Sequence, residues 1–222
     1  KYFKDLDYLH VTSNETINGI QIRDFKNIKH SSLIVDMSSD IGSYKFDWDN
    51  LKYIYAGAQK NMGIPGVTIC IGDEAHLANV ENPAYLNLKK LSESDSVLNT
   101  PSTFSVYILY LVSEWMKKLG GLDYFETQSK KHSSFLYDQL ETYSEKILLP
   151  VSKFARSRSN IVFNFIDSSL EQEFLSEAEK NNIIGIKGHR SVGGIRISLY
   201  NAVDSEMVTY ISEFISKFIE RK

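Results

Sequence analysis

Apolar runs, most of them continuous rather than alternating, dominate the first part of the chain. Such runs predict strands buried on both faces, as in parallel sheets. We expect these strands at Tyr8–Thr12, Ser32–Met37, Tyr53–Ala58 and Val67–Ile71. The connection between the last two is short and rich in glycine and proline, so we predict that this pair is antiparallel and lies beside parallel neighbours.

Helical patterns follow. Residues 82–99 are polar and irregular, which predicts a surface excursion rather than a helix. A polar cap and a proline at Asn99–Ser102 predict a helix start. The residues up to Leu119 are apolar on almost every side, which is typical of a helix buried all round. A second long helix is expected from Leu122 to about Tyr143.

The last part of the chain mixes amphipathic helices with short strands. We predict strands at Ile161–Ile166, Ile183–Ile186 and Ile195–Tyr200, and a helix at Leu170–Lys180. A final helix begins near Asp204, where a polar residue can cap it. The shift in composition predicts an α/β protein in two parts: residues 1–126 belong to a large domain with a mostly parallel sheet, and residues 127–222 form a small α+β domain.

Composition narrows the classes of function. The chain has 222 residues and a formal net charge of -3, so no basic field would recruit nucleic acid or an anionic membrane. Its one cysteine, Cys70, rules out a disulfide within the chain and favours a reducing compartment. No signal peptide or membrane-spanning run is visible, and we expect a cytoplasmic protein.

Asp36 and Lys60 are the first candidates for chemistry, because each follows an apolar run and both should lie at the carboxyl edge of one sheet. Open α/β sheets bind ligands there. A lysine against an apolar wall can form a Schiff base, and a carboxylate can pair with a protonated ring nitrogen. The alternatives are a surface lysine in a turn and an aspartate that caps a turn through Ser38 and Ser39.

His189, Arg190 and Arg196 flank a glycine pair on a short turn. Guanidinium groups match carboxylates and phosphates, which suggests an anionic substrate; the alternative is a hairpin with exposed cations. Asn99 and Thr100 precede the apolar helix and could form an anion site or act only as caps.

Thr16 and Gln59 lie beside these elements and could be ordinary loop residues. No group of His, Cys, Asp and Glu has the spacing of metal ligands, so we expect no metal.

Several segments, taken in order, carry a resemblance to a known family. They resemble the phosphoserine aminotransferases, pyridoxal-phosphate enzymes among the class V aminotransferases of fold type I, and the resemblance covers essentially the whole chain. The segments are Asn14-Glu15-Thr16-Ile17, Val35-Asp36-Met37-Ser38-Ser39, Tyr55-Ala56-Gly57-Ala58-Gln59-Lys60-Asn61, Asn99-Thr100-Pro101, Asn160, and residues 187–202, which begin Lys187-Gly188-His189-Arg190.

This resemblance implies pyridoxal 5'-phosphate as the cofactor and assigns roles around it. Lys60 would hold the cofactor aldehyde as a Schiff base and then move a proton between the substrate Cα and the cofactor C4′. Asp36 would pair with the pyridinium nitrogen, Thr16 would hydrogen-bond the phenolic oxygen of the ring, and Gln59 would contact the phosphate. Residues 1–126 would be the remainder of the cofactor-binding large domain.

The resemblance also implies a homodimer with a shared active site, in which Asn99 and Thr100 reach the cofactor phosphate of the partner subunit. His189 and Arg190 would bind the phosphate of phosphoserine, and Arg196 the α-carboxylate. The reaction would convert 3-phosphohydroxypyruvate and glutamate into O-phosphoserine and 2-oxoglutarate, a step of serine biosynthesis.

The family pattern begins well upstream, and roughly its first third is absent from this sequence. We therefore expect these 222 residues alone to be an incomplete enzyme. Two alternatives stay open at this point: another fold type I enzyme, such as a desulfurase, and a fragment that only dimerises or binds a partner.

Overall fold

The computed structural model describes residues 6–49, 51–77 and 83–222. The chain forms two compact units, within each of which the residues are close together in space. The first contains residues 1–13, 23–41 and 46–119, and the second contains residues 14–22, 42–45 and 120–222. The predicted boundary between a large and a small domain after residue 126 is a separate division, and it stays a prediction.

The strands in the described residues, in chain order, are β1 Leu9–Thr12, β2 Asn14–Glu15, β3 Ile20–Gln21, β4 Leu33–Asp36, β5 Leu51–Gly57, β6 Thr68–Gly72, β7 Ile147–Leu148, β8 Asn160–Phe165 and β9 Ile195–Ser198. The α-helices are α1 Leu88–Glu93, α2 Thr103–Lys118, α3 Gly121–Thr142, α4 Leu170–Lys180 and α5 Ser205–Glu220. Single 3₁₀ turns lie at Glu74–His76, Ala84–Leu86 and Lys153–Ala155.

The first unit is built on one sheet with the strand order β1-β4-β5-β6. The first three strands are parallel and β6 runs antiparallel to β5, so the predicted arrangement is confirmed. Side chains alternate between the two faces of a strand. One face carries fully buried apolar residues, among them Leu33, Val35 and Ile54, while Asp36 and Tyr55 lie on the other, partly exposed face.

The prediction of a helix buried on all sides at residues 104–119 is wrong for this chain. Only Ser105 and Met116 of α2 are buried, whereas Phe104, Tyr107 and Tyr110 are 66%, 55% and 58% exposed. The pattern of apolar residues indicated burial, but these aromatic side chains stay exposed among the elements that the structure describes. The short helix α1 also corrects the prediction of a purely irregular segment at residues 82–99.

The second unit packs three helices on the antiparallel sheet β7-β8-β9. Its core contains apolar residues of α3, α4, α5 and the sheet, with Phe163, Phe174 and Phe218 fully buried. The predicted strand Ile183–Ile186 is not regular. The Ile186 carbonyl accepts a hydrogen bond from the Arg196 amide, and the next residue, Lys187, forms only an isolated bridge with Ile195. Glycines at 185, 193 and 194 with positive φ interrupt a longer ladder here.

Among the described helices, none combines the length and the apolar character that crossing a bilayer would require.

Candidate active site

Asp36 ends strand β4, as predicted, and the turn that follows holds its carboxylate. Oδ1 accepts hydrogen bonds from the Ser38 amide at 2.9 Å and from the Ser38 hydroxyl at 2.6 Å. The Ser38 hydroxyl oxygen in turn accepts a hydrogen bond from the Gly57 amide at 3.0 Å. The turn-capping alternative is therefore correct for Ser38, and the same contacts fix a half-buried carboxylate at the carboxyl edge of the sheet.

Lys60 and Gln59 lie in the turn after β5. A hydrogen bond from the Met62 amide to the Ala58 carbonyl closes this turn. Both Gln59 and Lys60 are exposed, so the described residues of the first unit do not bury Lys60 against the apolar wall that the sequence suggested. The side-chain amide of Gln59 lies against the α-carbon of Gly57, where a Cβ atom would collide with it.

Asn99 and Thr100 are exposed and precede α2, which begins only at Thr103. The side-chain amide of Asn99 donates a hydrogen bond to the backbone carbonyl of Thr100 at 3.4 Å. The helix start is anchored elsewhere, because the Ser105 hydroxyl donates to the carbonyl of Pro65 at 3.0 Å. The N-cap of α2 is Ser102, within the predicted helix start at Asn99–Ser102. Asn99 and Thr100 precede the helix, so the alternative that they act as its caps is wrong.

Thr16 lies in a tight turn of the second unit that Glu15 closes. The Glu15 carboxylate accepts the amides of Ile17 at 2.6 Å and Asn18 at 2.9 Å. Burial raises the pKa of this carboxyl, but the hydrogen bonds from Asn18 and Ile17, with the charge of Arg196, outweigh burial and hold its pKa below the ordinary value. Glu15 is thus an anion that fixes the backbone on either side of Thr16.

Arg196, on β9, is joined to the same turn. Its Nη1 donates to the backbone carbonyl of Thr16 at 3.4 Å. Its Nε is buried and has no hydrogen-bond partner among the described residues. A buried, unpaired guanidinium N–H is costly, and a ligand carboxylate is a natural acceptor for it.

His189 and Arg190 occupy the turn before β9. The His189 carbonyl accepts the amides of Val192 and Gly193, and the Gly188 amide donates to the carbonyl of Gly194. The His189 ring also contacts the Ser191 hydroxyl, with Nδ1 2.7 Å from Oγ. Arg190 is exposed. The turn therefore presents two cationic or polar side chains from a closed backbone loop.

Sequence reasoning missed three residues that lie beside the predicted site residues, one in the second unit and two in the first. Glu171 of α4 accepts the Gly194 amide at 3.1 Å and so holds the end of the His189 turn. His10 and Tyr55 join on the face of the sheet that carries Asp36, with Nε2 and Oη 2.9 Å apart. Their strand positions, on the same face as Asp36, were the available signal.

Comparison with known proteins identifies the class. The family model of the class-V aminotransferases matches residues 3–211, and the chain belongs to this family. The fold is that of part of fold type I, mixed α/β with a mostly parallel sheet, and its structural neighbours are pyridoxal-phosphate aminotransferases of this fold.

The chain is similar to curated phosphoserine aminotransferases within this family. The phosphoserine aminotransferase of Bacillus cereus (strain ATCC 10987 / NRS 248) is 40% identical over 215 residues, which are 96% of this chain and 59% of the relative. That of Bacillus subtilis (strain 168) is 41% identical over 218 residues, which are 97% of this chain and 60% of the relative.

Solved structures agree. A phosphoserine aminotransferase from Bacillus circulans subsp. alkalophilus superposes with a TM-score of 0.92 at 38% identity. The match covers 96% of this chain and 60% of the chain in that structure. The cofactor-bound enzyme from Trichomonas vaginalis gives a TM-score of 0.90 at 27% identity, with 97% and 62% covered. The chain thus spans about 60% of the length of the curated relatives it matches.

Proposed function

We propose that the full-length protein is a pyridoxal-phosphate-dependent phosphoserine aminotransferase of serine biosynthesis. The observation that carries the proposal is the cationic group around β9, in a chain about 40% identical to phosphoserine aminotransferases. Arg196 offers a buried guanidinium N–H that finds no hydrogen-bond partner in the described part of the chain, and the adjoining turn presents His189 and Arg190. A substrate with both a carboxylate and a phosphate needs cations of this kind.

The residues present fit pyridoxal 5'-phosphate. Asp36 supplies a fixed carboxylate for a pyridinium nitrogen, Lys60 an exposed amine for an aldehyde, and Gln59 an exposed amide for a phosphate. Thr16 lies in the turn fixed by Glu15, as a hydroxyl partner for the ring oxygen. When bound, the cofactor supplies an aldehyde and an electron-poor ring that stabilises negative charge at the substrate α-carbon.

Each of the chain's own groups has a separate role in the proposed reaction. Lys60 holds the cofactor and, once released by the substrate, moves a proton between the substrate Cα and the cofactor C4′. Asp36 keeps the positive charge of the ring nitrogen compensated. Arg196 orients the substrate through its α-carboxylate, and His189 and Arg190 bind the phosphate. The substrates are phosphoserine with 2-oxoglutarate, or 3-phosphohydroxypyruvate with glutamate in the opposite direction.

We further propose a homodimer in which Asn99 and Thr100 reach the cofactor phosphate of the partner's site. The exposed position of both residues supports this arrangement, and so do the exposed aromatic residues of α2 that follow them. Contiguous apolar surface of this kind marks protein interfaces. A cytoplasmic location belongs to the same proposal and is supported by the single unpaired cysteine.

Steady-state kinetics of the full-length protein test the function. The wild type should transaminate phosphoserine with 2-oxoglutarate and should strongly prefer phosphoserine to serine. Lys60→Ala should abolish turnover, while Lys29→Ala, which removes another exposed lysine of the first unit, should leave it unchanged.

Arg190→Ala tests the phosphate contact in the same assay. It should lower kcat/KM for phosphoserine about ten- to hundredfold, the loss expected for a charge-assisted hydrogen bond. A wild type that accepts serine as well as phosphoserine would indicate another class-V aminotransferase. Absence of any turnover, with Lys60→Ala indistinguishable from wild type, would favour a protein that acts only through interactions.

A further inference from the structure

The antiparallel sheet of the second unit has an apolar face and a polar face. On β8 and β9, every second residue belongs to the buried hydrophobic core. Because successive side chains of a strand point to opposite faces, Asn160, Arg196 and Ser198 share the other face. The register pairs Asn160 with Ser198 and Val162 with Arg196. Arg196 therefore lies in the next cross-strand pair on the face that carries Asn160.

The hairpin of β2 and β3 packs on this polar face. Gly19 lies in the turn of the hairpin, where a Cβ atom would be 2.8 Å from the backbone oxygen of Asn160 and 2.9 Å from Cγ2 of Val162. The hairpin thus approaches β8 as closely as a residue without a side chain allows. The same hairpin carries Thr16, whose backbone carbonyl accepts a hydrogen bond from Arg196 Nη1 at 3.4 Å.

Asn160 joins the hairpin to β9 through a buried network of hydrogen bonds. Its side-chain oxygen accepts from Asn14 Nδ2 at 2.8 Å, and its Nδ2 donates to Ser198 Oγ at 3.1 Å. The Ser157 hydroxyl donates to Asn14 Oδ1 and accepts the Asn160 amide at 2.9 Å. Asn14 is 1% exposed, and Ser157 and Asn160 are 0% exposed. Each amide oxygen faces a donor and each amide nitrogen faces an acceptor, which fixes the orientation of both side chains.

This network spans the two elements that carry Thr16 and Arg196. Asn14 lies two residues before Thr16, and Ser198 lies two residues after Arg196. Buried hydrogen bonds are directional, and a shift that breaks them leaves polar groups unsatisfied, so the network holds the hairpin and β9 in one relative position. In that position Arg196 Nη1 is bound to the Thr16 carbonyl, while its buried Nε, without a hydrogen-bond partner in the described part of the chain, can donate to a ligand.

We propose that Asn160 is a positioning residue that holds the Arg196 guanidinium in place for the α-carboxylate of the substrate. This inference rests on the proposed function, in which Arg196 binds that carboxylate. Asn160 acts through Arg196 and the hairpin and contacts neither substrate nor the reacting atoms. Its loss should therefore weaken recognition of the carboxylate and leave recognition of the phosphate, at the turn with His189 and Arg190, unchanged.

Two unreactive ligands isolate the contact with the carboxylate. 3-Phosphoglycerate and glycerol 3-phosphate both carry a phosphate and lack an amino group, and only the first has a carboxylate. Isothermal titration calorimetry of the full-length protein, loaded with pyridoxal 5'-phosphate, gives the ratio of their Kd values, the carboxylate preference. Wild type should bind 3-phosphoglycerate more tightly. Arg196→Ala should reduce the carboxylate preference about ten- to hundredfold, the effect of losing a charge-assisted hydrogen bond.

Asn160→Ala should reduce the carboxylate preference about three- to tenfold, the effect of weakening one hydrogen bond, with the Kd of glycerol 3-phosphate at its wild-type value. Leu140→Ala is the matched control for a loss of stability alone. Leu140 is fully buried in the hydrophobic core of the same unit and is not part of the network. Its truncation leaves a cavity and destabilises the fold, but the carboxylate preference should stay at the wild-type value.

Ser198→Ala removes a single hydroxyl from the network and decides the question should Asn160→Ala fail to fold. It should reduce the carboxylate preference about two- to threefold. A wild-type preference in the folded Asn160 variant, or in Ser198→Ala where that variant does not fold, would overturn the positioning role, and so would an equal loss in Leu140→Ala. A wild-type protein that neither prefers 3-phosphoglycerate nor transaminates phosphoserine would overturn the proposed function itself.

Discussion

Gly194 ends the turn that presents His189 and Arg190, and replacing it with alanine tests how tightly that turn is built. The residue has a φ of +73°, in the left-handed region. Gly185, on the segment leading into the same turn, has a nearly identical φ of +74°. The two glycines differ in their surroundings: a Cβ at Gly185 would meet no atom within 4 Å, whereas one at Gly194 would lie 3.0 Å from the Phe163 carbonyl oxygen and collide with the Asn164 side chain.

The expected magnitudes follow from this comparison. Gly185→Ala should cost about 1 kcal/mol of unfolding free energy, the usual price of a left-handed alanine. Gly194→Ala carries the same backbone strain and in addition must displace Asn164 or shift β9 away from the carbonyl of Phe163. Overpacking of this kind adds about 1–3 kcal/mol, so the total should be about 2–4 kcal/mol.

Urea unfolding of the chain, followed by circular dichroism, measures both variants against wild type. Gly194→Ala should show the lower midpoint, with Gly185→Ala between it and wild type. In the full-length protein Gly194→Ala should also weaken phosphoserine binding, because β9 and the turn move together through the Gly188–Gly194 hydrogen bond. Equal midpoints for the two variants would refute the claim that close packing at Gly194 holds the turn.

Three further predictions concern the stability of the second unit, and a fourth concerns cofactor binding by the 222 residues. Asn160→Ala removes a buried amide that accepts from Asn14 at 2.8 Å and donates to Ser198 at 3.1 Å; it should cost about 2–4 kcal/mol in urea unfolding, well above Asn181→Ala, an exposed amide. The lowered pKa of Glu15 means that this carboxylate stabilises the fold above its ordinary pKa of 4.5; the advantage of wild type over Glu15→Gln, measured as a urea midpoint, should therefore vanish as the pH falls below that value. Burial, followed by the charge of Lys131, lowers the pKa of His132 against the opposing effect of Asp204, so the neutral ring is favoured and stability should decline as the pH falls below about 6.5; His132→Gln should abolish that slope. Spectroscopic titration of the isolated 222 residues with pyridoxal phosphate should show no tight, stoichiometric binding, and tight binding would contradict the expectation that they are an incomplete enzyme.

The local pattern of apolar residues was sufficient to predict the strands that precede Asp36 and Lys60. Continuous apolar runs predicted β4 and β5, and a short connection predicted the antiparallel β6. These signals are strong because a strand buried within a sheet has few polar positions, and because a connection of that length cannot cross over to make a parallel pair.

Other features depend on contacts between distant parts of the chain and left no local signature. The link between His10 and Tyr55 arises from two strand registers at once, which no periodicity reveals. The apolar sequence of α2 indicates that the helix needs a partner but does not say whether the same chain provides it. Residues 183–186 looked like a strand because β-branched residues are equally at home in an extended edge segment.

Covalent mapping of the cofactor tests the central claim most directly. The full-length protein, incubated with pyridoxal 5'-phosphate and reduced with borohydride, should gain one cofactor mass, and peptide analysis should locate it on Lys60. Lys60→Ala should gain none. A single adduct on another lysine, or no adduct on a folded wild-type protein, would contradict the assignment of Lys60 and with it the proposed aminotransferase.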